Sequence, residues 1–382
     1  MRWVVNDPNR VSHPARKGDH AYRYVHNCIA DSSAAAIANV ETRMKLLDTG
    51  DFLFPVSVNA GDEPHGNSYV VSPLTTYTGY AVDELRRMNR PWVSWPAKRL
   101  INIIGRRLIA ARVDRLVQVN NWLLSTNLYP YAWDGLDLGE VKRFMVDSFP
   151  DHAIAFRSLN RFSNSVLIDR LESMGFVAIP SRQVYIFDAR DGDKSNFLRR
   201  HNTRIDAKLL QNTSYESVDG DALSPSDYSR LEGLYNQLYL EKYSQLNPQF
   251  KAEWLRCGQA DGWLKLQILR TTENRIDGVV GWFSNEKVLT APIVGYDTSL
   301  PQSLGLYRLL TQMCLQESVR RRCVLNFSSG AALFKRLRGG QPEIEYSMVF
   351  VDHLNAQRVR AWRLLGRVLH SVGIPIMKKL KL

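Results

Sequence analysis

Gly278-Val-Val-Gly-Trp-Phe283 and Val288-Leu-Thr-Ala-Pro-Ile-Val-Gly295 are β-rich runs joined by Ser284-Asn-Glu-Lys287, a connection of hairpin length. Behind them, Pro301-Gln-Ser-Leu-Gly305 precedes Leu306, Leu309, Leu310, Met313 and Cys314, whose spacing predicts a helix. Arg320-Arg-Arg322 closes that helix with cations, which suit the partial negative charge of a helix C-terminus. Val324-Leu-Asn-Phe327 is too short for a helix and reads as a buried strand, followed by a Ser328-Ser-Gly330 loop. Leu333, Phe334 and Leu337 mark one face of a short helix that Gly339-Gly340 caps, and Met348-Val-Phe-Val351 ends the unit as a strand.

The same order of elements occurs earlier in the chain. Arg115-Leu-Val-Gln-Val119 is strand-like, and a loop through Asn120, Asn121, Ser125 and Asn127 leads to a helix from Leu138 to Phe149. His152-Ala-Ile-Ala-Phe156 is the next strand, Ser163 to Met174 the next helix, and Phe176 to Asp188 the last extended run. Gly175 stands 13 residues before Asp188, and Gly339 stands 13 before Asp352. A pseudo-repeat of strand, helix, strand, helix and strand accounts for both spans. The expected division is residues 1–200 and 201–382, joined through a basic helix from Phe197 to Leu210. Tyr228 to Tyr243 is expected to be helical, as is Ser33 to Leu47, whereas His13-Pro14 and Asp62-Glu-Pro-His-Gly66 have loop chemistry.

Composition bounds the class. At 382 residues, with 45% hydrophobic and 10% aromatic residues, the chain can fill substantial cores. Cys28, Cys257, Cys314 and Cys323 are few and unclustered, so neither a disulfide framework nor a zinc site is expected. No apolar run reaches transmembrane length, Met1-Arg-Trp-Val-Val-Asn6 lacks a signal-peptide core, and a cytoplasmic location is the expectation. The net charge of +12 attracts anions of every kind, from nucleic acid and lipid to acidic carrier proteins and phosphate-bearing cofactors. There is no zinc-finger spacing or heptad run for a dedicated nucleic-acid binder, no Gly-x-Ser-x-Gly elbow, and no complete Rossmann or P-loop glycine pattern.

Two segments carry a resemblance. Gln302-Ser-Leu-Gly305-Leu-Tyr307 is similar to the phosphate loop Gln/Arg-x-x-Gly-x-Gly/Ala of GNAT-superfamily N-acyltransferases, departing from it in placing Tyr307 at the last small position. Phe334-Lys-Arg-Leu-Arg-Gly-Gly340 resembles the Phe-Lys-x-x-(x)-Gly-Gly segment near the end of FemAB-like domains. The resemblance implies an α/β fold of tandem GNAT-like mixed sheets flanked by helices, with the acyl-donor site in the C-terminal half. It implies an acyltransferase that moves an acyl group, in natural-product pathways a fatty acyl group, to an amine of a peptide, amino acid or small metabolite. The donor is an acyl-CoA or acyl-carrier-protein thioester, without a metal. Two alternatives stay open: FemAB-like transfer from an aminoacyl-tRNA, and an inactive tandem fold serving as a binding module.

Physical chemistry assigns candidates to these parts. A pyrophosphate needs backbone N–H groups at a helix N-terminus and a glycine where a side chain would block approach, which Gln302, Ser303, Leu304, Gly305, Leu306 and Tyr307 can provide; alternatively Gly305 only relieves packing. Pro292 removes a ladder donor, so it either splays its strand from Val324-Leu-Asn-Phe327 or marks a plain edge. Acylation needs a base for the amine, donors for an oxyanion and a proton for the thiolate. Asp297 is a candidate base or a helix cap, and His201 a second base candidate or a solvated connector residue. Tyr296 and Tyr307 are hydroxyl donors or packing residues. Ser328 and Ser329 contact substrate or cap a helix, Asn326 contacts substrate or makes a structural bond, and Lys335 with Arg336 binds donor phosphate or forms a solvated face. From Ala356 to Val372, Trp362, Leu365, Leu369 and Val372 line one helical face beside Arg358, Arg360, Arg363 and Arg367, with Lys378, Lys379 and Lys381 beyond. That helix either closes the core or docks an acyl carrier protein or an anionic membrane surface.

Overall fold

The computed structural model describes residues 1–4, 19–29, 32–62, 66–87 and 91–380, so His13, Pro14, residues 63–65 and Lys381 lie outside the described residues. In chain order the elements that matter are β1 (Arg2–Val4), β2 (Arg43–Asp48), β3 (Leu53–Asn59), α1 (Pro91–Ala110), β4 (Leu116–Val119), α2 (Leu138–Ser148), β5 (Ala153–Asn160), α3 (Arg161–Ser173) and β6 (Val177–Asp188). The second half continues with α4 (His201–Gln211), β7 (Glu216–Asp219), α5 (Asp227–Asn236), α6 (Ala252–Ala260), β8 (Lys265–Arg270), β9 (Ile276–Ser284) and β10 (Val288–Tyr296). It ends with α7 (Leu306–Arg321), β11 (Val324–Asn326), α8 (Ala332–Leu337), β12 (Gln341–Phe350) and α9 (Ala356–Val368).

All 12 strands form one sheet in the order β1-β2-β3-β4-β5-β12-β6-β11-β10-β9-β8-β7. Read inward from either edge, the pairing is the same: antiparallel through β1–β4 and β7–β10, then parallel at β4–β5 and β10–β11. The final strand of each half is then exchanged. β12 lies against β5, β6 lies against β11, and β6 and β12 pair with each other in the centre. Helices α2 and α7 therefore hold equivalent places, each connecting two parallel neighbours, as crossover connections must. The two halves share a core as well as a sheet: Leu46, Val70 and Trp122 belong to the same apolar cluster as Trp254, Ile268 and Phe283.

Three sequence expectations are corrected here. Ser33 to Leu47 is not one helix, because Ser33–Ala36 makes a single turn and the chain extends at Ile37 into β2. Pairing of β2 with both β1 and β3 outweighs the helical preference of the alanines. The helix expected from Phe197 to Leu210 breaks at Arg200, whose φ of −67° and ψ of 138° are extended, so that α4 starts at His201. The helix expected over Tyr228 to Tyr243 changes to a π turn at Gln237–Glu241.

Candidate active site

The central feature of the second half is a parting of two parallel strands. β10 and β11 pair only over Val288–Thr290 and Val324–Asn326. Beyond Thr290 the register of β10 against β9 shifts before Ile293, which places Pro292, with no N–H to give to a ladder, inside the irregularity. β11 instead follows β6: the Phe327 amide donates to the Tyr185 carbonyl at 2.9 Å, and the Tyr185 amide donates to the Ser328 carbonyl at 3.0 Å. The two strands diverge as a wedge toward their C-terminal ends.

Beside the wedge, Gln302–Leu304 form one 3-10 turn and Pro301–Leu304 are exposed. Gly305 adopts φ +68°, a left-handed conformation that side chains disfavour, and α7 starts immediately after it. A Cβ on Gly305 would lie 2.7 Å from Leu209 Cδ2 on α4, so this glycine also admits α4 against the start of α7. Leu306 and Tyr307 occupy the first turn of α7, where helix geometry provides their amides with no intrahelical acceptor. The wall is aromatic. The Tyr307 ring is 4.8 Å from Phe334 and 6.1 Å from Tyr296, and burial pushes the Tyr307 phenol well above its usual pKa. Tyr239 and Tyr243 share that environment.

Lys335 is not a solvated residue. It is buried, and its ammonium donates to the carbonyls of Phe327 (2.6 Å), Ser329 (2.8 Å) and Ser328 (3.3 Å), fixing the loop that leaves β11. Burial, with the Arg182 guanidinium nearby, pushes its pKa down to about 7. Asn326 holds the same loop by accepting from the Ser328 amide at 3.1 Å, and it also lines a polar pocket with Asn127, Ser158, Asn160 and Asn285. Ser328 has φ +54°, and its hydroxyl lies 3.4 Å from Thr126 Oγ1 in the first half.

Asn326, Ser328, Ser329 and Lys335 thus come together at the wedge, with Tyr307 and Tyr296 on its other side. Asp297 and His201 are elsewhere in the bonding pattern. Asp297 accepts from the Ser299 amide and hydroxyl and from Arg230 Nη2 at 2.7 Å, the arrangement of a turn cap and ion pair. Burial alone would raise its pKa, but the bonds from Ser299 and Arg230 hold it below the usual carboxylate value. His201 is exposed at the first position of α4.

Sequence reasoning missed the residues in the central strands. Arg182 on β6 faces Glu345 on β12 in register and binds it through Nε at 2.8 Å and Nη2 at 3.3 Å; the same Nη2 donates to Thr126 Oγ1 at 2.9 Å. A bonded path therefore runs from Lys335 through the Ser328 loop and Thr126 to Arg182 and Glu345. Arg157, Tyr69 and Tyr129 lie in the same field. The available signal was a charge within a strand run, Arg182 in β6 and Glu345 in β12.

The corresponding parting in the first half is filled. β4 leaves β5 after Val119 and Phe156, and Asn120, Asn121, Trp122, Leu123, Leu124, Thr126 and Asn127 are all buried. They bond among themselves and to the adjoining chain: Trp122 Nε1 to Asn120, Asn127 to Asn121, and Asn121 to Ser57 and Val70. Among the described residues no group of three His, Cys, Asp or Glu side chains is placed to hold a metal ion, and no helix is long and apolar enough to cross a membrane.

No family model and no curated protein matches this sequence. Among solved structures, FemX is similar over 92% of this chain and 98% of its own, with 7% identity and a TM-score of 0.51. L-PGS from Bacillus licheniformis aligns over 61% of this chain and 79% of its own at 14% identity and a TM-score of 0.43. A tandem GNAT protein from the clavulanic acid biosynthesis pathway aligns over 62% and 74% at 10% identity and a TM-score of 0.35. The fold is the tandem GNAT-like one, two mixed α/β units in one sheet, and its extent matches that of FemX almost end to end.

Proposed function

We propose that this chain is an N-acyltransferase that takes an acyl group from a CoA or carrier-protein thioester, with the donor held in residues 201–382. The observation that supports this most is the wedge between β10 and β11 beside the exposed Pro301–Leu304 turn and the start of α7. A thioester lying in the wedge would have its phosphates at Gln302 to Tyr307, where backbone amides and the helix dipole favour anions.

In the reaction a neutral amine attacks the thioester carbonyl, forming the C–N bond and placing the carbonyl electron pair on oxygen. Collapse breaks the C–S bond, the thiolate takes a proton, and an amide and a free thiol result. Lys335, through its hold on the Ser328 and Ser329 carbonyls, fixes the loop that meets the substrate and adds a cation near the developing oxyanion. Ser328 and Tyr307 are the hydroxyls proposed to serve the leaving thiolate. Tyr296 ends β10, and Asp297, which follows it, can accept the amine proton only by leaving Arg230. The aromatic walls from Tyr239, Tyr243, Tyr307 and Phe334 favour an apolar acyl chain, so the proposed group is fatty acyl.

The test is a transfer assay that supplies long-chain acyl-CoA, acetyl-CoA, an acylated carrier protein or aminoacyl-tRNA with a mixture of amino acids, peptides and simple amines, read by mass spectrometry. N-acylated product from a long-chain thioester, formed faster than from acetyl-CoA, is expected. Product from aminoacyl-tRNA alone would replace this reading with aminoacyl transfer, and no product from any donor would leave a binding module.

A further inference from the structure

Arg157 is a half-buried cation that the wedge chemistry leaves unused. It stands in β5 directly before Ser158, whose φ of +63° is the first-half counterpart of the Ser328 turn after β11. Its Nη1 donates to the Val70 carbonyl at 2.7 Å and to Asn121 Oδ1 at 3.2 Å, while the Tyr129 hydroxyl donates to its carbonyl at 2.8 Å. Among the described residues its Nε and Nη2 have no hydrogen-bond acceptor, and no carboxylate lies within ion-pair distance. Neither nitrogen is among the sealed unpartnered atoms of the molecule, so both border open space.

Among the described residues, the carboxylate that acts on Arg157 is already engaged. The groups acting on Arg157 are Glu345, Arg182, Tyr69 and Tyr129, and both Glu345 oxygens are taken by Arg182. Among these groups, with the phenols neutral, two guanidiniums face one carboxylate. Burial depresses the Arg157 pKa, which marks a cation whose desolvation its surroundings do not offset. An uncompensated guanidinium inside a protein is costly unless something anionic arrives to pair with it. The remaining Nε–Nη2 edge is the planar fork that receives a carboxylate through two parallel bonds. The group neighbours the wedge, because Arg182 binds Thr126 and Thr126 meets Ser328.

Resting on the acyl-transfer reading above, we propose that Arg157 anchors a carboxylate carried by the acceptor, so that the acceptor is an amino acid or a peptide presenting both its amine and its own carboxylate. Arg182 and Glu345 position the floor of that subsite, and Tyr69 and Tyr129 wall it.

The test needs no turnover. N-lauroylglycine and N-lauroylglycinamide, which differ only in charge at the acceptor end, are titrated calorimetrically into the wild-type chain, with N-lauroyl phosphoethanolamine as a phosphate-bearing control. The carboxylate is expected to bind about tenfold to a hundredfold more tightly than the amide, as a charge-assisted bond pair requires. Arg157→Gln should abolish that difference and Arg157→Lys should keep part of it, with melting temperatures read in parallel. Equal binding of acid and amide by the wild type overturns the proposal without any variant, and so does undiminished discrimination in a folded Arg157→Gln chain. Preference for the phosphate compound over the acid overturns it in favour of a phosphorylated acceptor. If the transfer assay fails while acid and amide are still distinguished through Arg157, the transfer reading falls and the carboxylate subsite stands.

Discussion

Lys335 shows how far a residue's place can differ from its look in the sequence. Among Lys335, Arg336 and Arg338 of a basic helix, only its position opposite the end of β11 turns Lys335 inward, onto three carbonyls. Its pKa of about 7 lies below the ordinary lysine value, so the unfolded chain binds the proton more tightly than the folded one. Below about pH 7 both states are protonated and the penalty is full; as pH rises from about 7 toward the ordinary value the folded state loses its ammonium first and stability rises. Urea unfolding of the wild type across that window should therefore gain on the order of a few kcal/mol relative to Lys335→Met. A constant offset between the two curves would mean that the lysine titrates normally. Arg157, Arg182 and Glu345 were illegible for a related reason. Each sits in a different strand, and the exchange of β6 and β12 brings those strands side by side. Gly305 was legible as a turn residue, whereas Leu209, which packs on it, comes from a helix about a hundred positions away in sequence.

At the scale of elements, local pattern was a good guide where it was long or glycine-punctuated. α2, α3, α7, β9 and β10 fall where periodicity and the caps at Gly175 and Gly339 put them, and Pro292 lies in a strand irregularity. The failures are short segments whose state depends on neighbours, such as β2 between β1 and β3. Helix α9 combines both of its sequence readings. Trp362 and Leu365 are buried in the core beside α1 and β6, while Arg360, Arg363 and Arg367 remain outside. Arg358 belongs to neither group: it is buried and donates to the carbonyls of Ala111, Arg112, Asp151 and Arg115, tying the ends of α1 and α2 to α9. Arg358→Met should cost about 2–4 kcal/mol, because several buried carbonyls lose a charged donor. Changing Arg360, Arg363 and Arg367 together to Gln should alter stability by less than about 1 kcal/mol. Equal effects in thermal unfolding would contradict this division of labour.

The whole molecule is more unified than two successive units would be. Because β6 and β12 cross into the opposite half, a cut near residue 200 would take β12 away from β5 and β6 away from β11. The pseudo-repeat in the sequence is a repeat of order, and the exchange is invisible to it, since no local pattern says which of two equivalent edges a strand will join. The exchange also has a functional consequence. It brings the parting of the first half and the wedge of the second to the two sides of one central strand pair, and Thr126 meets Ser328. On the proposed reading the two halves divide the roles, the first lending Arg157 and the second the donor wedge. The most direct check on this account is hydrogen–deuterium exchange of the purified chain with and without a non-reactive long-chain acyl-CoA thioether. Protection confined to the amides of 291–296, 302–308 and 326–329, with none gained over 120–129, is the predicted result; protection over 120–129 instead, or no change anywhere at saturating ligand, would contradict it.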